Sequence, residues 1–258
     1  MTLPDHLSYS ALDAYRKCPR QFELSRVDKM TPRQAWYFAT GTAVHNVVEG
    51  YLKDFLDKDV NVRDYAEELF IAEVERLMKI EPDTHAWAHA GSDKDPVVEE
   101  KALILAQDCA EEAIAQLEQI DAWECELDVS GNLDPCPVPI KGYADIVGEH
   151  KKHGPIIGDW KTGKSKPKDN LQLETYNALM KSGIYRDLEF KGLWLMVNPQ
   201  ASKARPVELK ESPKSMGLMY ADAWRKIERG VFPARVQYSC KFCLQESNCK
   251  TQPGRDGK

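Results

Sequence analysis

The chain has 258 residues, 42% hydrophobic and 29% charged, with 35 basic against 41 acidic side chains and a net charge of −6. That composition supports a packed core and excludes a disordered chain, and no apolar run approaches the roughly 18 residues of a membrane span. The acidic balance argues against binding nucleic acid by bulk charge alone, although a site that gathers carboxylates around cations lowers the charge in the same way.

Residues 8–24 open on a serine cap signal, with Leu12, Tyr15 and Phe22 at near-helical spacing and Pro19 interrupting. A helix is predicted over 40–57, where Val44, Val47, Val48, Tyr51, Leu52 and Phe55 form one apolar stripe and Thr40 and Thr42 stand near its start. Helices are also predicted over 62–80 and 97–120, with a Pro, Gly, Ser and Asp loop over 81–96 between them. From residue 123 the pattern alternates. Strands are predicted over 123–130, 140–150 and 155–162, with a hairpin turn at 151–154. A helix over 169–183 follows, led by Asp169 and closed by Gly183. Residues 188–199 and 204–210 read as further strands and 213–229 as a last helix closed by Gly230. The tail from 231 is aperiodic and carries three cysteines. The chain shows no internal repeat. The order predicts a mixed α/β core with a helical insertion.

The N-terminus lacks a basic start followed by an apolar stretch, so a cytoplasmic protein with no membrane partner is expected. Seven cysteines in such a chain point to metal or cluster binding rather than to a disulfide framework.

The sharpest chemical signal is Asp145 in GYADIVGE followed by Asp159-Trp160-Lys161 in IIGDWKTGK, each aspartate on or at the end of a predicted strand. Two carboxylates on adjacent strands suit hard divalent cations. Asp159 and Lys161 are two apart, so a strand points both to one face and sets an ammonium beside the metal. Alone, such a D-x-K is usually a solvated strand end. Its neighbours change that. His45 and Glu49 are at i and i+4 on a predicted helix, and so are Gln172 and Tyr176. Histidine suits a metal or phosphate, and glutamine and tyrosine suit a nucleic-acid backbone. For each a structural role is the plain alternative.

The run Gly41-Thr42-x-x-His45-x-x-x-Glu49, then Gly142-x-x-Asp145, Asp159-x-Lys161 and Gln172-x-x-x-Tyr176 resembles the signature of the PD-(D/E)xK nuclease superfamily in its RecB-like branch. The opening SYSALDAYRKCPRQFEL is similar to that branch too. The resemblance runs from about residue 7 to 249 and leaves the helical region 53–122 without a motif. It implies a restriction-endonuclease-like α/β fold, a mixed central sheet flanked by helices, in one domain over 1–258. In that domain 53–122 is the helical insertion and 231–258 a cysteine-rich tail. It implies that His45, Asp145 and Asp159 hold Mg²⁺ or Mn²⁺, with the Trp160 carbonyl completing the shell. Lys161 becomes the catalytic lysine, with Gln172, Tyr176 and Glu49 supporting the site or touching substrate. Many superfamily members have Glu where Asp159 stands; the RecB-like branch has Asp.

Cys240, Cys243 and Cys249 give C-x2-C-x5-C, and Cys18 is the natural fourth ligand. Spacing alone leaves zinc and an iron–sulfur cluster both open. Cluster-bearing members of the branch, including the AddB nuclease domain and the CRISPR-associated exonucleases, have this layout, so the resemblance implies a structural [4Fe–4S] cluster. Cys109, Cys125 and Cys136 have no partner spacing, and Cys109 reads as a core residue. The implied activity is metal-assisted phosphodiester hydrolysis on DNA, as an exonuclease on single-stranded ends with 5′ to 3′ polarity favoured, in recombination, repair or CRISPR adaptation. Basic stretches at 161–168, Lys203 with Arg205, and Lys226 with Arg229 are candidate strand guides, the last pair reading better as ordinary surface charge. Tyr9, Tyr15, Trp36 and Tyr37 are candidate stacking residues. Two other classes fit the same motifs. One is a DNA-binding protein with an inert site, the other a subunit that cuts only with partner proteins, and oligomers are compatible with either.

Overall fold

The computed structural model describes residues 2–53, 60–88, 91–92, 95–96, 98–183, 185–202 and 206–251. Strand β1 (Leu7–Ser8) runs straight into helix α1 (Tyr9–Lys17), because Ser8 is extended and its hydroxyl accepts from the Ala11 N–H at 3.2 Å. A cap of this kind is worth about 1 kcal/mol. Pro19 disfavours helical geometry at the residue before it. Cys18 is accordingly extended and α1 stops there, before α2 (Pro19–Phe22) and a π turn over Glu23–Val27.

Helix α3 (Trp36–Leu52) starts four residues earlier than the apolar stripe suggests. Trp36 packs on Trp87 with ring centroids 4.6 Å apart, and that contact extends the buried side toward the N-terminus. Thr40 therefore lies inside the helix, where its hydroxyl donates to the Ala102 carbonyl at 3.0 Å. Helices α4 (Val62–Met78) and α5 (Glu99–Leu117) pack on α3, with Phe70, Val74 and Leu77 against Trp36, Ala39 and Ala43. Between them the expected loop holds a small ladder of β2 (Gly91–Ser92) and β3 (Asp95–Pro96).

The remaining elements are β4 (Ile120–Asp128), β5 (Ile140–Lys141), β6 (Tyr143–His150), β7 (Gly154–Lys161), α6 (Leu171–Ser182), β8 (Lys191–Met196), β9 (Val207–Glu208) and α7 (Pro213–Glu228). The single strand expected over 140–150 is two, parted at Gly142, and β5 leaves the main sheet to pair in parallel with β1. The strand expected over 204–210 is reduced to β9, and residues 204 and 205 lie outside the described residues. The main sheet runs β4-β6-β7-β8-β9, with β7 and β8 parallel and the other neighbours antiparallel.

Alternation along β8 explains the layering. Trp194 and Met196 enter a core shared with α1, α6 and α7, while Leu193 and Leu195 enter one shared with α3 and α5. A strand covered on both faces reads as a continuous apolar run, which is what GLWLMV is. On β7, Ile156 and Trp160 belong to the α3 face, so Asp159 and Lys161 point to the α6 face. The fold is thus the mixed α/β sheet with helices on both sides that the sequence predicts. Among the described residues no helix is long and apolar enough to cross a membrane.

Candidate active site

The β6–β7 ladder runs from His150↔Gly154 to Ile146↔Gly158 and ends there. The next residues on each strand are Asp145 and Asp159, so the two carboxylates sit where the strands part. The Trp160 N–H, freed from the ladder, donates to Asp145 Oδ2 at 2.8 Å. Gly158 lets the strands close up just before the fork, since a methyl there would lie 2.6 Å from the Ile146 side chain. His45 comes from α3, its Nδ1 3.6 Å from Asp145 Oδ2.

Lys161 forms an ion pair with Asp159, and its Nζ also donates to Gln172 Oε1 at 3.2 Å. Gln172 Nε2 in turn donates to Asp159 and, at 2.9 Å, to the Tyr176 hydroxyl oxygen. Asp159, Lys161, Gln172 and Tyr176 are thus one network, with the first turns of α6 laid over the end of β7. Gly142 belongs to it sterically, because a methyl there would meet the Tyr176 ring at 3.0 Å. Gly41 differs, since a methyl there meets nothing within 4 Å and the residue lines an open cavity of about 640 Å³ beside His45. Glu49 lines the same cavity and is ion-paired to Lys53 at 2.6 Å.

One acid was not singled out in the sequence. Glu126 on β4 brings its Oε1 to 3.7 Å from His45 Nδ1. Ligand atoms of His45, Glu126 and Asp145 all lie within 4.8 Å of one another. Strand β4 carries acids at 121, 124, 126 and 128, and a bulge at Trp123 decides which of them faces Asp145. Before the bulge Ala122 pairs with Gly148; after it Cys125 pairs with Ile146 and Leu127 with Ala144. Without the extra residue Cys125 would stand opposite Asp145 (the position Glu126 takes). Glu126 has a φ of 53°, left-handed geometry that is uncommon outside glycine and that concentrates at functional sites.

The electrostatics follow from burial. Asp145 is 7% exposed and Asp159 1%. Burial, with Asp159's charge added, raises the Asp145 carboxyl above the ordinary range against the pull of His45 and the Trp160 N–H. Burial likewise raises Asp159 against the pull of Lys161. Burial would lower His45, but the carboxylates of Glu126, Asp145 and Asp159 around it outweigh that and lift the imidazole to about 9. Asp159 Oδ2 is buried and accepts no hydrogen bond of proper geometry, its ion pair with Lys161 apart. Crowded carboxylates, an imidazole and an oxygen without a hydrogen bond are a donor set that fits a hard divalent cation.

The Trp160 side chain is buried in the α3-face core. Tyr15 and Trp36 are core aromatics, 6% exposed each, while Tyr37 is 37% exposed. Lys226 is paired with Asp222 at 2.6 Å, and Lys203 with Arg205 lie outside the described residues. Cys109 is fully buried, as expected. Cys18, Cys240, Cys243 and Cys249 are thiols that line one cavity of about 1020 Å³. Among the described residues they do not form a set as compact as His45, Glu126 and Asp145.

Residues 6–250 match the PD-(D/E)XK nuclease superfamily, and the chain belongs to it. It is therefore a nuclease by family, with DNA as the implied substrate. Among individual proteins it is similar to the Gene 69 protein of Mycobacterium phage L5, 26% identical over 281 residues covering 94% of this chain and 95% of that protein. It is also similar to the Gene 69 protein of Mycobacterium phage D29, at 23% over 272 residues and the same coverage.

Proposed function

We propose that the chain is a Mg²⁺- or Mn²⁺-dependent DNA exonuclease of the RecB-like branch, acting on single-stranded ends with 5′ to 3′ polarity favoured. The observation that carries this is the fork of β6 and β7 at Asp145 and Asp159, with Lys161 drawn onto it by Gln172. His45, Glu126, Asp145 and Asp159 would hold the cation, with the Trp160 carbonyl as a further ligand. When bound, the cation polarises the phosphate and lowers the pKa of an attacking water. Lys161 places positive charge where the phosphoryl oxygens become more negative. Gln172 and Tyr176 hold Lys161 and Asp159 in register, and Glu49 borders the cavity on the His45 side.

The proposal extends to a structural [4Fe–4S] cluster on Cys18, Cys240, Cys243 and Cys249. The four thiols come from both ends of the chain and line one cavity. The whole chain then works as one nuclease domain with 53–122 as a helical insertion. Its setting is the cytoplasm of a bacterial, archaeal or phage-infected cell, in recombination, repair or CRISPR adaptation and with proteins of those pathways as partners. The phage origin of the two similar proteins favours the infected-cell setting.

The test uses end-labelled linear and circular single strands with Mg²⁺ or Mn²⁺, beside Lys161→Ala. Shortening of linear strands alone by wild type, with the variant inactive, is the expected result, and the label gives the polarity. If wild type with iron bound cuts neither, the reading as a partner-dependent or inert DNA-binding subunit replaces this one.

A further inference from the structure

Helix α3 carries a glycine that nothing inside the protein accounts for. A glycine in a helix interior costs stability relative to alanine and is kept for packing or for function. Gly217 in α7 has a packing reason, since a methyl there would strike the Asp134 carbonyl. Gly41 does not. Among the described residues a methyl there meets nothing within 4 Å, and its φ is not in the left-handed region. Gly41 lies one helical turn before His45, and both line the cavity of about 640 Å³ that Glu126 also borders.

Arg76 on α4 lines the same cavity. Its Nε and Nη2 donate to the two Glu73 carboxylate oxygens at 2.6 and 2.7 Å, and Thr42, next to Gly41, donates to Glu73 at 3.4 Å. The Glu73 side chain is 9% exposed and that of Arg76 59%, so this pair keeps its anion inside and its cation outside. Among the described residues Arg76 Nη1 has no partner. An exposed guanidinium held in one orientation by a buried carboxylate is suited to a phosphate. The other acids on the wall are taken as well. Glu49 is ion-paired to Lys53 at 2.6 Å, and Glu126 belongs to the set that would hold the cation. With the cation bound, each of these carboxylates has a positive partner, and a phosphate meets the Arg76 guanidinium first.

We infer that this cavity holds the DNA strand beside the scissile phosphate, with Arg76 on a neighbouring backbone phosphate and Gly41 giving the strand room to lie against α3. The size suits one strand. Pockets for small ligands span roughly 300–1,000 Å³, and about 640 Å³ falls within that range. Anchoring a phosphate that does not react fixes where the reacting one sits relative to the metal. The helical insertion over 53–122, which bears no motif, then takes part in substrate binding, because α4 supplies the guanidinium. This rests on the nuclease reading above and adds where the substrate lies and what holds it.

The test is fluorescence anisotropy of a labelled single strand with Ca²⁺ present, comparing wild type, Gly41→Leu, and Arg76→Gln combined with Glu73→Gln. The double variant removes both partners, so no buried charge is left unpaired. It is expected to bind about tenfold more weakly, and its plot of log affinity against log salt should be shallower by about 0.7, for one phosphate no longer neutralised. Gly41→Leu should melt no lower than wild type, since leucine is the better helix former, keep the rise in melting temperature with Mn²⁺, and still bind the strand at least tenfold more weakly. Affinity equal to wild type in Gly41→Leu overturns the inference, as does an unchanged salt slope in the double variant or absence of strand binding by wild type. Binding that depends on Gly41 and Arg76 in a protein that cleaves nothing upholds the cavity's role and removes the nuclease reading instead. Cleavage by a protein whose strand binding ignores both residues does the reverse.

Discussion

At the scale of single residues, the site is an accumulation of buried negative charge that the protein alone does not neutralise. Asp145 is held by one backbone N–H at 2.8 Å and one imidazole at 3.6 Å, and its neighbour Asp159 is 1% exposed. Asp145→Asn keeps an oxygen for the Trp160 N–H while removing a charge whose burial beside Asp159 is unfavourable. We expect the metal-free variant to melt several degrees above wild type at neutral pH, at about 2–4 °C per kcal/mol for a chain near this size. It should also lose the Mn²⁺-dependent rise in melting temperature that binding to the folded state alone produces. Scanning calorimetry with and without Mn²⁺ checks both, and a variant that Mn²⁺ still stabilises would remove Asp145 from the ligand set. Glu126→Gln tests the residue that the bulge brings in. Mn²⁺ affinity should fall about 10–100-fold with the metal-free melting temperature unchanged or raised, as read by titration calorimetry.

At the scale of elements, the site depends on how α6 lies against the β5–β6 break. The Tyr176 ring rests on Gly142, and the Tyr176 hydroxyl reaches Gln172, which in turn holds Asp159 and Lys161. A methyl at Gly142 would stand 3.0 Å from the ring and 3.3 Å from the Val129 side chain. Gly142→Ala is therefore expected to destabilise by about 1–3 kcal/mol, the range for overpacking, and to lower cleavage while Mn²⁺ affinity stays as in wild type. Urea unfolding and a metal titration on the same sample read the two effects. Unchanged stability and turnover would show that α6 moves freely enough to make the contact irrelevant. The bulge at Trp123 belongs to this scale too, since one inserted residue decides whether a thiol or a carboxylate faces Asp145.

At the scale of the whole molecule, the C-terminal tail holds the segment that leads into α3. The Arg33 N–H donates to the Leu244 carbonyl at 2.8 Å, Gln245 Nε2 to the Met30 carbonyl at 3.1 Å, and Asn248 Nδ2 to the Thr31 carbonyl at 2.9 Å. Gln245 is 1% exposed, so its own bond to Met30 is largely shielded from water. Helix α3 carries His45 a short way beyond that segment. A cluster on Cys18 and the tail cysteines would fix this arrangement from the other side, and such sites couple ligand binding to folding. Cys243→Ala is accordingly expected to give colourless, poorly soluble protein. A soluble, brown variant with an unchanged iron content would show that Cys243 is not a ligand.

Much of this was legible in the chain itself. The motif residues Gly41 to Glu49, Asp145, Asp159 to Lys161 and Gln172 to Tyr176 stand out by their spacing together with its resemblance to the superfamily signature. The hairpin of β6 and β7, α6 and α7 follow from periodicity and from Gly183 and Gly230. Those signals are local, written by neighbours two to four residues apart that share a strand face or a helix face. Other features had no local signal. The early start of α3 depends on Trp36 meeting Trp87, the pairing of β1 with β5 joins residues 7 and 140, and the choice of Glu126 depends on a bulge read against another strand. The sequence by itself determined the class of chemistry and the elements that bear it. The tertiary structure alone decided which acid completes the site, because cross-strand register is set by contacts between residues far apart in the chain.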